Sequence, residues 1–170
     1  EDLVTNAMSD TDRIASQHSI DDIVDLCDKL SDKSEHSKVK VIGAFLNFFW
    51  EETSLLALLA CESIKYSLQH GVCLESATAF AVYAMVKIRH EGDYFGGKWW
   101  ADASRAIIRH YKDANKTADP APAISAQNIL GWAVDVWFTP AKEIALIEFC
   151  DEATKAGLVD DAISSSMGSW

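Results

Sequence analysis

Seven consecutive residues, Gly92-Asp93-Tyr94-Phe95-Gly96-Gly97-Lys98, match the GxxxxGK opening of a phosphate-binding loop. That chemistry needs Ser or Thr at the next position to hold Mg²⁺, and a small-residue loop after a strand whose amides cradle the phosphates. Trp99 stands there instead, the loop carries Asp93, Tyr94 and Phe95, and the residues before it have helical periodicity. The stretch therefore reads as a junction between two helices, with glycines for close packing.

Three of the five histidines, His70, His90 and His110, recur at a regular interval. All three fall near expected helix C-termini, where the macrodipole favours an imidazolium. No HExxH, no His pair at i, i+4 and no Glu-x-x-His occurs, so the spacing does not predict a metal site. His90-Glu91 runs at once into Gly92, which is a poor match to a phosphoacceptor histidine box. There is no GxSxG, and Ser164-Ser165-Ser166 lies in a terminal polar stretch. The carboxylate neighbours Glu51/Glu52, Asp151/Glu152 and Asp160/Asp161 diverge by about 100° on a helix and cannot face one substrate together. Cys27, Cys61, Cys73 and Cys150 form no CxxC, and read as reduced, mostly buried thiols of a cytoplasmic protein.

One surface stands out. Residues 87–116 carry seven bases and four acids in a chain whose net charge is −11. Lys98, Arg105, Arg109, Lys112 and Lys116 form a candidate interaction face on one helix, suited to an acidic partner.

These side chains need elements to hold them. Residues 1–20 have weak periodicity and read as a frayed lead-in. Ile20, Ile23, Val24, Leu26, Cys27 and Leu30 predict a short amphipathic helix. Lys33 to Ser37 breaks it. The stretch from Val39 to Phe49 is apolar over more than half its circumference, so it must be covered on two sides. Further helices are expected from Glu51 to His70, ending at Gly71; from Leu74 to His90, ending at Gly92; and from Asp93 to Asn115. Asp119-Pro120 and Thr139-Pro140 are helix starts, predicting helices at 121–138 and 140–156.

Composition agrees with an all-α chain. Its 170 residues include eight Gly and three Pro, all three prolines at or after position 120, too little punctuation for a β-sandwich or barrel. With 49% apolar residues and 24% charged residues the chain supports a core of single-domain size. Residues 1–36 hold ten acids and three bases, and so most of the net charge. We divide the chain into an acidic lead-in at 1–36 and a helical-repeat domain at 37–170. The acidity argues against nucleic-acid partners, and no run is long and apolar enough to cross a membrane. A start at Glu1 suggests a piece of a longer chain.

The pairs 74–90/94–115 and 121–138/140–156 form units of tetratricopeptide size, predicting antiparallel helix pairs stacked as a tetratricopeptide-like right-handed superhelix of about seven helices. Tyr66-Ser67-Leu68-Gln69-His70-Gly71, Glu75-Ser76-Ala77, Phe80-Ala81, Tyr83, Gly92-Asp93-Tyr94 and Gly97 carry a family resemblance. With Trp137-Phe138-Thr139-Pro140, Glu143 and Gly157-Leu158-Val159-Asp160-Asp161-Ala162, their order resembles the helical-repeat region of large AAA-type ATPase-containing sensor kinases. The resemblance covers about residues 40–170. Ala84 stands where members often have Gly, and Phe138-Thr139 replaces a His-containing turn.

The resemblance implies a non-catalytic, cofactor-free and metal-free scaffold that contacts flanking domains or other proteins, within a parent signalling protein that is a kinase, ATPase or cyclase. The alternative is a self-contained α-helical domain, enzymatic or small-molecule-binding, with a pocket between helix pairs lined by Trp99, Trp100, Trp132 or Trp137.

Overall fold

A computed structural model describes residues 2–27, 29, 33–46, 52–114, 119–135, 152 and 154–156. Among the described residues the named α-helices follow in order: α1 (Asp2–Ala15), α2 (Ile20–Asp25), α3 (Lys33–Leu46), α4 (Thr53–His70), α5 (Ser76–Val86), α6 (Tyr94–Asp113) and α7 (Ala121–Ile129). Two of them run on into π-helical turns, α5 through Lys87–Glu91 and α7 through Leu130–Val134.

The sequence of α5, SATAFAVYAMV, has no polar face, and all of its residues are buried. Eleven residues make a marginal helix in water, so its stability comes from the neighbours that enclose it. Those are α3, α4, α6 and α7. Its small residues let them approach, and side-chain hydroxyls on α5 and α6 bond across the contacts. Ser104 Oγ on α6 donates to Ala77 O at 2.8 Å, and Thr78 Oγ1 donates to Pro122 O at 3.4 Å. The Tyr83 hydroxyl lies 3.0 Å from Met8 O and 3.1 Å from Asp12 Oδ1 on α1. Phe80 and Tyr83 meet the Trp100 ring edge-on, with centroids 5.4 and 4.8 Å away.

This packing corrects the expected superhelix. In a stack of helix pairs each unit touches only its neighbours. Here α5 is a hub with helices on all sides, and α2 packs against α6 across the three intervening helices of the sequence. The result is an all-α bundle, closed around one helix. A continuous apolar surface on α5 cannot be satisfied by a partner on one side and solvent on the other.

Residues 2–15 also differ from the frayed lead-in expected of them. They form α1, which packs on α4 and buries Met8, Thr11 and Ala15. The apolar stripe is thinned by a threonine and an alanine, and Thr11 satisfies its hydroxyl on Ala7 O at 2.8 Å. Helix α3 begins inside the expected break at Lys33. It buries Val39 and Leu46 while Val41 and Phe45 remain about half exposed, so the expected two-sided cover is not found among the described residues. The expected helix at 140–156 lies outside the described residues apart from positions 152 and 154–156.

The Gly92–Lys98 stretch is a helix junction. Gly92 takes a left-handed conformation, φ 66°, that ends the π-helical turn. Asp93 then caps α6 by accepting from the Gly96 amide at 2.9 Å. At Gly97 a Cβ would lie 2.4 Å from Ile88 Cγ1 and 3.0 Å from Ala84 O. Alanine ordinarily improves a helix interior by about 1 kcal/mol over glycine; forcing α6 off α5 costs about 1–3 kcal/mol. Gly97→Ala is therefore expected to lower stability in a denaturant melt despite its better helix propensity.

Candidate metal centre and neighbouring polar clusters

The connection between α4 and α5 is short and tied down at every residue. Gly71 ends α4 at φ 120°, a conformation open to glycine. Val72 donates to Leu26 O at 3.0 Å and its own carbonyl accepts from the Tyr111 hydroxyl at 3.0 Å. The Cys73 amide donates to Ser76 Oγ at 3.2 Å, and Ser67 Oγ is 2.8 Å from the same hydroxyl. Cys73 and Glu75 are thus presented by a fixed turn at the head of the buried helix.

The first turns of α3 lie across this head. His36 Nε2 is 3.0 Å from Glu75 Oε2, and Lys40 Nζ is 3.2 Å from Oε1 of the same carboxylate. One ligand atom each from His36, Cys73 and Glu75 lies within 4.8 Å of the others. Cys73 is buried, while His36 and Glu75 are partly exposed and give the cluster access to solvent. Burial pushes the Cys73 thiol up to about 11. Burial also raises the Glu75 carboxyl, but its own backbone amide, His36 and Lys40 more than offset that, and it sits below the usual glutamate range.

A thiol, an imidazole and a carboxylate are the three donor types of zinc sites. Atoms bound to one tetrahedral zinc lie about 3.3–3.8 Å apart, against separations of up to 4.8 Å among these three. Glu75 is suited to bind through Oε2 while Lys40 keeps hold of Oε1, an outer partner that fixes the carboxylate. The Lys40 ammonium opposes a bound cation, but its side chain is 55% exposed, so solvent weakens that repulsion.

The chain matches no protein-family model, no curated protein and no solved structure. The resemblance to sensor-kinase repeat regions rests on the residues quoted for it.

The cluster corrects several expectations together. A region with no metal site, no cofactor and no enzymatic chemistry, acting only as a signalling scaffold, does not describe a domain that assembles His36, Cys73 and Glu75. Spacing rules missed these residues because the histidine is 39 positions from the glutamate. Their proximity is created by α3 folding onto the head of α5. The local signal was limited to Cys73 and Glu75 following a helix-ending glycine. Pocket chemistry at Trp99 and Trp100, part of the alternative reading, does have a counterpart: both line a cleft of about 270 Å³ with Asp12, His18 and Gly96. Trp132 instead stacks under Arg89, whose guanidinium carbon is 4.6 Å from the ring centroid, and Trp137 lies outside the described residues.

The basic face of α6 is largely paired. Lys98 bonds Asp102, Arg105 bonds both Asp102 and Asp135, and Lys112 is 3.5 Å from Glu152. Arg109 is exposed and donates to Arg105 O at 3.4 Å. Lys116 lies outside the described residues. Internal acids absorb much of the local positive charge. Cys27, Cys61 and Cys73 are buried cysteines outside any disulfide, and Cys150 is outside the described residues.

At the other end of α5, Lys87 enters the interior through the π-helical turn. Its ammonium is 2.9 Å from Asp12 and 3.1 Å from Asp93, and it also bonds Glu91. Burial pulls the lysine down, but these bonds outweigh it and hold the ammonium above the usual lysine range. Asp93 is held below the usual aspartate range, first by the Gly96 amide and then by Lys87. Lys87→Met would leave three neighbouring carboxylates without their cation. Breaking a buried pair costs about 3–5 kcal/mol; with the carboxylates 36–41% exposed, solvent reduces the expected loss to about 1–3 kcal/mol. The lowered Asp93 adds stability that is complete above its ordinary value of 3.8 and is lost as pH falls through its native value. The raised Lys87 keeps its contribution below its ordinary 10.5, losing it only as pH climbs past the native value. Melts from pH 7 to pH 2 should show a shallower acid slope in Asp93→Asn than in the parent protein.

Proposed function

We propose that this protein is a self-contained α-helical metal-binding domain whose site is His36, Cys73 and Glu75. The observation that carries the reading is the convergence, within 4.8 Å, of the His36 imidazole on α3 with the Cys73 thiol and Glu75 carboxylate of the fixed turn. Thiolate with imidazole selects a borderline or soft divalent ion, zinc in particular, over Mg²⁺ or Ca²⁺. Three protein ligands leave a fourth position for water or a small molecule, the arrangement of zinc sites that do chemistry as opposed to closed structural ones. The metal also supplies the charge that compensates a buried thiolate, which burial alone disfavours.

Binding would tie α3 to the head of α5 and stabilise the fold by mass action, about 2.7 kcal/mol at a hundredfold excess over Kd. Cobalt(II) reports the ligands directly. Titration of the reduced protein is expected to produce tetrahedral d–d bands and a thiolate-to-metal charge-transfer band, saturating at one ion per chain. Cys73→Ser should abolish the charge-transfer band and His36→Ala should weaken binding, while Cys150→Ser leaves the spectrum unchanged. No saturable binding, or a charge-transfer band that survives Cys73→Ser, would overturn the reading.

A further inference from the structure

Two completely buried serines lie beside the Cys73 sulfur: Ser76, the first residue of α5, and Ser67, near the end of α4. A buried hydroxyl is costly unless it is hydrogen-bonded, so the direction of each hydrogen here is constrained. Ser76 Oγ has three neighbours: the Cys73 amide at 3.2 Å, Ser67 Oγ at 2.8 Å and Cys73 Sγ at 3.5 Å.

A hydroxyl accepts twice and donates once. The Cys73 amide can only donate, and fills one lone pair of Ser76 Oγ. Ser67 Oγ has no other partner among the described residues, so its hydrogen is satisfied only when it points to Ser76. That fills the second lone pair and leaves the Ser76 hydrogen for the sulfur. The result is a one-way chain, from Ser67 through Ser76 to Cys73 Sγ. Ser76 also fixes the backbone that carries the sulfur. Its amide donates to Cys73 O at 3.0 Å, the reciprocal of the bond from the Cys73 amide to its side chain.

On the basis of the metal-binding reading above, we propose that Ser76 is a positioning residue of the metal centre, its hydroxyl oriented by Ser67 and donating to the Cys73 sulfur that binds the ion. A thiolate in the interior has lost the water that would hydrogen-bond it, and Ser76 supplies one donor in its place. A hydrogen bond to a ligating sulfur draws electron density from it and so tunes the metal–sulfur bond. Outer partners of this kind carry about 10–100-fold in metal affinity. The chain spans two helices, so the sulfur's electronic character depends on α4 and α5 being packed together.

The test is the thiolate-to-cobalt charge-transfer band of the full chain, read at saturating cobalt(II), together with the affinity. Ser76→Ala removes the hydrogen and raises the energy of the sulfur lone pairs. It should move the band to longer wavelength and weaken cobalt binding by about 10–100-fold. Ser67→Ala should shift the band the same way by less, because the Ser76 hydrogen remains. Ser76→Thr retains the hydroxyl and should keep the band at its parent position. A purely structural role for Ser76 would weaken binding and lower the melting temperature while leaving the band of the saturated protein in place. An unmoved band in a folded, saturated Ser76→Ala variant therefore overturns the inference and leaves the metal site standing. Should Ser76→Ala not fold, an unmoved band in Ser67→Ala overturns it instead; alanine favours the interior of α4. No charge-transfer band in the parent protein would remove the metal site and this inference together.

Discussion

The structure depends on a single constraint: α5 has no face that water can wet. An eleven-residue helix made of alanines, an aromatic pair and branched side chains must be enclosed on every side. Enclosing it determines the positions of α3, α4, α6 and α7. Each fully buried large side chain contributes about 1.5–3 kcal/mol, so enclosing Phe80, Val82 and Tyr83 favours a closed bundle. The small residues between them allow close approach, and the few hydroxyls find carbonyls on neighbouring helices.

A helix without a polar face leaves polar chemistry only at its ends. The N-terminal end carries the Cys73–Glu75 turn, to which α3 adds His36. The C-terminal end carries Lys87 and its three acids, near the edge-to-face contact of Trp99 and Trp100. In both places a turn is held by several hydrogen bonds, and one helix from outside the local segment completes the cluster. The ends differ in character. One gathers neutralisable metal donors around a buried thiol; the other gathers an excess of carboxylates beside aromatic rings.

Most helices were legible in the sequence because capping and breaking residues mark them. Gly71, Gly92 and Asp93 end or begin helices where expected, and α4 and α6 follow the periodic apolar residues closely. Helix α1 was not legible because Thr11 and Ala15 stand at positions where the periodic reading looks for larger apolar groups. The arrangement of helices was harder still. Repeat-sized pairs and glycine-ended turns are compatible with either a stack or a closed bundle, and the distinction rests on whether one helix is buried all round. The apolar circumference of α5 was the available sign. The metal donors left almost no trace: a histidine on α3 and a cysteine and glutamate two residues apart in a turn have no shared period. The bases of α6 have acidic partners of two kinds, Asp102 on the same helix and Asp135 and Glu152 farther along the chain, and only the first kind can be read from helical spacing.

The central claim is that His36, Cys73 and Glu75 share one metal ion. X-ray absorption at the zinc edge of the reconstituted protein tests it most directly, since sulfur and lighter ligands scatter at separable distances. The account predicts one sulfur at about 2.3 Å and nitrogen or oxygen ligands at about 2.0–2.2 Å, with the sulfur shell absent in Cys73→Ser. A shell of nitrogen and oxygen alone, or a sulfur shell that persists in that variant, would contradict it.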